Sequence, residues 1–238
     1  MNIIIKRFDK NKTPQNSEMS IKIDKAMTLL NALYDIKANK DNSLTFKSGC
    51  KSGVCGSCSM RVNSKEVLAC SYKLQDGDII EPLNYHNIKR DLVVERTHSL
   101  QTLKSSKAWL KSYKKTSISI AQEKLTEVQS DCILCSSCYS SCPVMAVNSD
   151  FLGPFGLTRV YRYLADEREG NIEEGVEAIQ INGVWDCTLC GECTTVCPQG
   201  IDPKMDIMQL RGISTQYGYS DPSFSNMSFG GFDPNIGF

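Results

Sequence analysis

The sequence predicts an α+β chain in two parts: a small unit of strands with one helix, then an all-α unit. Three observations lead there. Short apolar alternations run through the first part, apolar residues at helical spacing dominate the second, and twelve cysteines fall into one group in the first part and two in the second. A length of 238 residues allows one or two domains. Formal net charge is zero, hydrophobic content 41% and charged content 23%, an ordinary globular composition. No stretch approaches the ~18 apolar residues of a membrane-crossing helix. The start, Met1-Asn-Ile-Ile-Ile-Lys-Arg-Phe8, lacks the pattern of a cleaved secretory or twin-arginine signal, so none is expected. The balanced charge does not suggest nucleic-acid binding.

Taken in order, residues 3–8 and 20–24 are expected as strands, joined by a polar hairpin loop over 9–17 that contains Pro14. Residues 25–40 carry Leu29, Leu30, Leu33 and Ile36 at helical spacing. A further strand is expected at 44–46, then a cysteine- and glycine-rich loop at 48–59. Met60-Arg61-Val62 alternates again, and Asp76-Gly77 makes a turn before Ile79-Ile80. From Leu92 the pattern turns helical. Leu100, Leu103, Ala108 and Leu110 place a helix over 100–113, with Lys104, Lys107, Lys111, Lys114 and Lys115 as its solvated face or a docking stripe. Residues 116–119 read as a connector, and 157–164 as a helix inside the second cysteine-rich region, 132–197. The last stretch, 221–238, holds four of the eight Phe and no Lys or Arg. It cannot build a core of its own and is expected to be disordered or pinned to another surface.

Charge is unevenly spread. Residues 1–120 hold 21 Lys and Arg against 11 Asp and Glu; residues 121–238 hold 6 against 16. A basic front and an acidic back suit docking to two different partners.

Cys50, Cys55, Cys58 and Cys70 are spaced C-x4-C-x2-C-x11-C, the plant-type ferredoxin pattern for a 2Fe–2S cluster. Each iron of such a cluster needs two thiolates. Gly49, Gly53 and Gly56 let the loop wrap tightly and aim N–H groups at sulfur. Zinc also accepts four cysteines, but its sites usually pair C-x2-C with C-x2-C. Cys132, Cys135, Cys138 and Cys142 read C-x2-C-x2-C-x3-C before Pro143. Cys187, Cys190, Cys193 and Cys197 repeat that run fifty-five residues on, before Pro198. In such double runs the fourth cysteine serves the other cluster. One 4Fe–4S cluster is therefore expected on Cys132, Cys135, Cys138 and Cys197, and the other on Cys142, Cys187, Cys190 and Cys193. No catalytic residue is expected in the chain. His86 and His98, the two histidines, read as surface or packing residues.

The order of these motifs resembles the iron–sulfur subunit of succinate dehydrogenase/fumarate reductase over about residues 1–212. The specific segments are Cys50-Lys-Ser-Gly-Val-Cys55-Gly-Ser-Cys58, Asp91-Leu-Val-Val-Glu95, Cys132-Ile-Leu-Cys135, Phe151-Leu-Gly-Pro154, and Asn182-Gly-Val-Trp185-Asp-Cys187 through Cys197-Pro-Gln-Gly-Ile-Asp202-Pro203. The resemblance implies a β-grasp plant-type 2Fe–2S ferredoxin domain at 1–97, a helical dicluster domain at 98–220 and a Phe/Gly-rich tail at 221–238. It implies single-electron relay between an FAD-bearing flavoprotein, which interconverts succinate and fumarate, and a quinone-reactive membrane anchor. The chain would then sit peripherally on a membrane through its partners, on the cytoplasmic face, with export alongside a signal-bearing partner as the alternative. Most family members lack a cysteine at the position of Cys190, and their third cluster is 3Fe–4S. The fourth thiolate here points to 4Fe–4S, and to the family form whose anchor is cysteine-rich and heterodisulfide-reductase-like. Val147 and Thr188 stand where some succinate dehydrogenases place a quinone-site tryptophan and histidine. The competing readings are a relay subunit of another oxidoreductase, such as a thiol-dependent fumarate reductase or a heterodisulfide-type enzyme, and a zinc-stabilised interaction protein.

Overall fold

A computed structural model describes residues 1–8, 14–20 and 27–225. Seven strands and one helix come first: β1 Asn2–Phe8, β2 Pro14–Ser20, α1 Leu29–Asn39, β3 Ser59–Val62, β4 Lys65–Leu68, β5 Ile79–Glu81, β6 Asn87–Arg90 and β7 Val93–Glu95. Five strands form a mixed sheet in the order β2-β1-β5-β3-β4, and β6 and β7 form a separate ribbon. β1 pairs in parallel with β5, Ile4 opposite Ile79, while β3 runs antiparallel to both β5 and β4. The alternation of β1 puts Ile3 and Ile5 on one face, against Leu29, Leu33 and Ile36 of α1 and Met60 and Ile80 of the sheet, all buried. α1 starts where Thr28 Oγ1 accepts from the Asn31 N–H at 3.3 Å. It stops where Lys37 reaches the carbonyls of Asn42 and Leu44.

A cluster of charge locks this unit. Arg7 of β1 donates from Nε and Nη2 to the two oxygens of Asp91, both at 3.0 Å, and also reaches Asp41 and Ser43. Asp91 is buried and takes the Thr45 N–H as well, at 2.8 Å.

The helices follow: α2 Thr97–Ser105, α3 Ile120–Ser130, α4 Ser137–Ser140, α5 Val144–Val147, α6 Pro154–Leu164, α7 Ile172–Glu177, α8 Glu192–Thr195, α9 Pro203–Gln216 and α10 Pro222–Ser225. A capping box of Ser119 and Gln122 opens α3. α6 and α9 both begin with proline, whose missing N–H costs nothing at a helix start. Their packed faces centre on Leu157, Val160, Ile207 and Leu210. Asp206 of α9, buried, accepts from Thr158 of α6 and Gln129 of α3, both at 2.8 Å, and so ties three helices together.

Two apolar clusters result. One gathers residues from Ile3 to Leu92; the other runs from Leu103 to Tyr219. Ile133 and Cys135 belong to the first despite their place in the chain.

Several expectations need correction. The second strand is Pro14–Ser20 and takes in 14–17 of the expected hairpin loop; residues 9–13 of that loop and 21–24 of the expected strand lie outside the described residues. A polar edge strand carries no alternation to reveal it, and it pairs with β1 along its whole length, Asn2 opposite Ser20 and Phe8 opposite Pro14. Residues 44–46 form no strand. Leu44 is buried, but this stretch meets the 91–92 turn through single bonds, Thr45 N–H to the Asp91 carboxylate and Leu92 N–H to the Thr45 carbonyl. The helical pattern expected from Leu92 is interrupted at once by β7, and the local pattern does not reveal β4 or β6. The helix expected over 100–113 spans Thr97–Ser105 instead. Beyond it the Glu169 carboxylate captures the N–H groups of Lys111 and Ser112, at 2.9 and 3.1 Å, in place of helical partners. Two of the lysines there are tethered: Lys107 pairs with Glu174 at 2.8 Å, and Lys111 reaches the Lys107 carbonyl. Of the expected tail, residues 226–238 lie outside the described residues.

Candidate metal centres

The first cysteine loop is shaped by backbone that bends the left-handed way at Lys51, Gly53 and Gly56, with φ of 63°, 79° and 65°. The bends turn amides toward sulfur. The N–H groups of Ser52 and Val54 point to Cys50 Sγ at 3.4 and 3.3 Å, that of Cys50 to Cys55 Sγ at 3.3 Å, and that of Gly53 to Cys70 Sγ at 3.2 Å. A side chain on Gly49 would bring its Cβ to 2.7 Å from Cys55 Sγ, so the cradle closes only around glycine there. Cys58 and Cys70 sit at the open end of the β3–β4 hairpin and are held abreast by the Ala69 N–H on the Cys58 carbonyl. The amide and hydroxyl of Ser52, with the Val54 N–H, hold the exposed Cys50 thiol down to about 6; Ser57 lowers Cys55. Burial pushes Cys58 up to about 11.

The second and third motifs repeat in backbone as they do in sequence. Leu134 and Leu189 share φ of 51° and 56°, and Ser136 and Gly191 share 67° and 87°. α4 and α8 then begin at Ser137 and Glu192. The Leu189 N–H reaches Cys187 Sγ at 3.4 Å, and that of Leu134 faces Cys132 in the same way. Behind the prolines the pattern recurs: the amides of Val144 and Met145 face Cys142, and those of Gln199, Gly200 and Ile201 face Cys197. Pro143 follows the end of α4 and also heads α5.

The cysteines converge in two foursomes. Cys132, Cys135, Cys138 and Cys197 line one cavity, walled by Phe155, Ile201 and Pro203. Burial raises the Cys138 thiol far above its usual range, and the sulfurs of Cys135, Cys132, Cys193 and Cys197 add to it in that order. Burial likewise raises Cys142, with Cys187 and Cys190 adding; it raises Cys193 to about 12, with Cys187, Cys142 and Cys190 adding. Thiols so placed ionise readily only beside positive charge, which a polynuclear iron core supplies. Among the described residues no three His, Cys, Asp or Glu are grouped to hold a single metal ion. The foursome of Cys132, Cys135, Cys138 and Cys197, set around a cavity with amides facing Cys132 and Cys197, fits the larger core of an iron–sulfur cluster.

Cys190 differs from the rest of its foursome in being exposed, whereas Cys142 and Cys193 are buried. Val147 and Thr188 are exposed as well. His86 packs rather than ligates: its ring stacks on Tyr139 at 4.7 Å, neither nitrogen meets a well-aligned partner, and burial lowers it to about 4. His98 bonds the Ser149 carbonyl.

Some contributors left no mark in local sequence pattern. Arg211 grips the carbonyls of Val184, Trp185 and Cys187, at 2.8, 3.3 and 2.7 Å, and so braces the third loop. Gln199 reaches the Gly53 carbonyl at 3.2 Å, and Ser59 the Cys135 carbonyl at 2.7 Å, clasping the first loop to the second site. Arg96, directly after β7, joins them.

Among known proteins, a family described as "2Fe-2S iron-sulfur cluster binding domain" matches residues 2–101, and one described as "4Fe-4S dicluster domain" matches residues 128–201. The chain is 34% identical over 232 residues to the fumarate reductase iron–sulfur subunit of Haemophilus influenzae, covering 88% of this chain and 91% of that one. It is 34% identical over 235 residues to the 8-methylmenaquinol:fumarate reductase iron–sulfur subunit of Wolinella succinogenes, covering 92% and 74%. A chain of the Mycobacterium smegmatis Sdh1 complex in the apo form superposes with a TM-score of 0.81 at 18% identity, covering 92% of this chain and 97% of that one, a likeness of fold.

Proposed function

Because the chain belongs to the iron–sulfur subunits of succinate dehydrogenase and fumarate reductase, the electron-transfer subunits of those complexes, we propose a division of its cysteines into three centres. Cys50, Cys55, Cys58 and Cys70 hold a 2Fe–2S cluster. Cys132, Cys135, Cys138 and Cys197 hold a 4Fe–4S cluster. Cys142, Cys187, Cys190 and Cys193 hold a third cluster, also 4Fe–4S. The observation that carries this division is the exchange of fourth ligands: Cys197 faces the second motif and Cys142 the third.

When bound, such clusters take up and release electrons singly. The chain's own part is to hold and insulate them. Amides of Ser52, Gly53, Val54 and Leu189 donate to the sulfurs and so favour added negative charge. Phe155, Ile201 and Pro203 keep water from the second site. Substrate chemistry belongs to a flavoprotein partner carrying FAD, docked near the exposed loop around Cys50. The anchor docks at the other end, beside Cys190, and is cysteine-rich in keeping with the extra thiolate. Quinone reacts near the third cluster within that anchor. No helix among the described residues is long and apolar enough to cross a membrane. In this reading the anchor subunit provides attachment, on the cytoplasmic face.

Purification of the native complex in mild detergent without air, with mass spectrometry of its subunits and assay of iron, tests this. A covalent-flavin subunit and ~10 irons per chain are expected. Absence of any flavoprotein would leave only a general relay subunit.

A further inference from the structure

Arg96 stands between the first and second cysteine loops. Its guanidinium donates to the Gly56 carbonyl from both terminal nitrogens, at 3.3 and 3.2 Å, and to Ser59 Oγ at 2.5 Å. Ser59 in turn donates to the Cys135 carbonyl at 2.7 Å. The loops touch here: a Cβ on Gly56 would lie 2.8 Å from Cys135 Cβ. Every acceptor of Arg96 is neutral, and its Nε is buried with no partner. Among the described residues no carboxylate forms an ion pair with it.

A largely buried cation without a counter-ion is unfavourable, and such groups persist where something compensates them. Burial lowers Arg96, and the negative groups that counter this are the sulfurs of Cys135, Cys58 and Cys55. One belongs to the second foursome and two to the first. The other arginines near sulfur act on a single set, Arg159 on Cys132 and Arg211 on Cys187.

We propose that Arg96 is the shared counter-charge of the first two metal centres, a positioning residue whose fixed positive charge favours the one-electron-reduced state of both. The inference rests on the ligand sets given above. A permanent charge in a site screened from water acts on each added electron by Coulomb attraction, and it sits where both clusters feel it.

The test is a redox titration of all three clusters by electron-spin resonance in the intact complex, comparing Arg96→Gln, Arg96→Lys and Ser59→Ala with the wild type. Arg96→Gln can keep a donor to Gly56 or Ser59 and removes the charge. It is expected to weaken the preference for the reduced state about tenfold at the first and second clusters, about 59 mV for one electron, and to leave the third within about twofold. Arg96→Lys and Ser59→Ala should stay within about twofold of wild type throughout. No shift in Arg96→Gln, equal shifts at all three clusters, or an equal shift in Ser59→Ala would overturn the proposal. If neutral replacements by Gln and by Met both fail to hold the first two clusters while Arg96→Lys holds all three at wild-type potentials, the charge is again what matters; failure of Arg96→Lys as well overturns it. Absence of the first two signals from the wild type would instead remove the ligand assignment itself.

Discussion

Arg7 and Asp91 meet through two parallel hydrogen bonds of 3.0 Å, joining the first strand to the turn between β6 and β7. Asp91 is buried, and Arg7 is its charge partner on the sheet side. The geometry is the bidentate fork in which arginine surpasses lysine.

Removing one partner should therefore hurt more than removing both. Arg7→Met is expected to cost about 3–5 kcal/mol by stranding a buried carboxylate. The double variant Arg7→Met, Asp91→Asn, which keeps a residue suited to the left-handed φ of 46° at 91, should recover a large part of that. Thermal loss of the 2Fe–2S absorption in the assembled complex reads both, and equal losses in the single and double variants would contradict the account.

Cys190→Ser takes away the exposed thiol proposed as the fourth ligand of the third cluster. Air-free, oxidised complex should then show a 3Fe–4S electron-spin signal that the wild type lacks, with about one iron fewer per chain and the first two clusters unchanged. A full 3Fe–4S signal already present in air-free wild type would refute the proposed third cluster.

Gly56→Ala should disturb two centres at once. The new Cβ would lie 2.8 Å from Cys135 Cβ, at a φ of 65° that alanine resists. Gly77→Ala, at φ 82° with nothing within 4 Å, carries only the backbone penalty of about 1–2 kcal/mol. Iron content and the spin signals of the first and second clusters should fall in the former and hold in the latter.

Asp206 gives a pH signature. Burial raises its carboxyl to about 6, against the donors Gln129 and Thr158 that pull it down. The folded chain thus holds the proton more tightly than the unfolded one. Its contribution to stability is fully present below about 4, the ordinary carboxyl range, and is lost as pH rises through about 6. Relative to Asp206→Asn, the wild type should gain about 1 kcal/mol between pH 7 and pH 5. Denaturant unfolding across that interval measures the difference, and parallel curves would contradict it.

The meeting of Cys197 with Cys132, Cys135 and Cys138 around one cavity was legible in the sequence, because the spacing of a repeated cysteine run reflects covalent reach. α1 and α6 were also readable, since each buries one apolar stripe, Leu29 to Ile36 and Leu157 to Leu164. β2 was not, because an edge strand with polar residues has no face to declare. The end of α2 was hidden for another reason: Leu100, Leu103, Ala108 and Leu110 keep helical spacing, but Glu169, far along the chain, takes the amides at 111 and 112. Arg96, Ser59 and Gln199 were invisible on the same ground. Each acts on a carbonyl that only the folded chain brings near.

Ile133 and Cys135 pack into the apolar core of the strand-rich unit. Severing the chain near residue 97 would leave a bare hydrophobic socket on one fragment and its plug on the other. The two parts are thus not exchangeable modules strung on a linker. A free-standing ferredoxin cut from this chain would need its socket refilled by new apolar residues, and any recombination that swaps one part must carry the plug along with it.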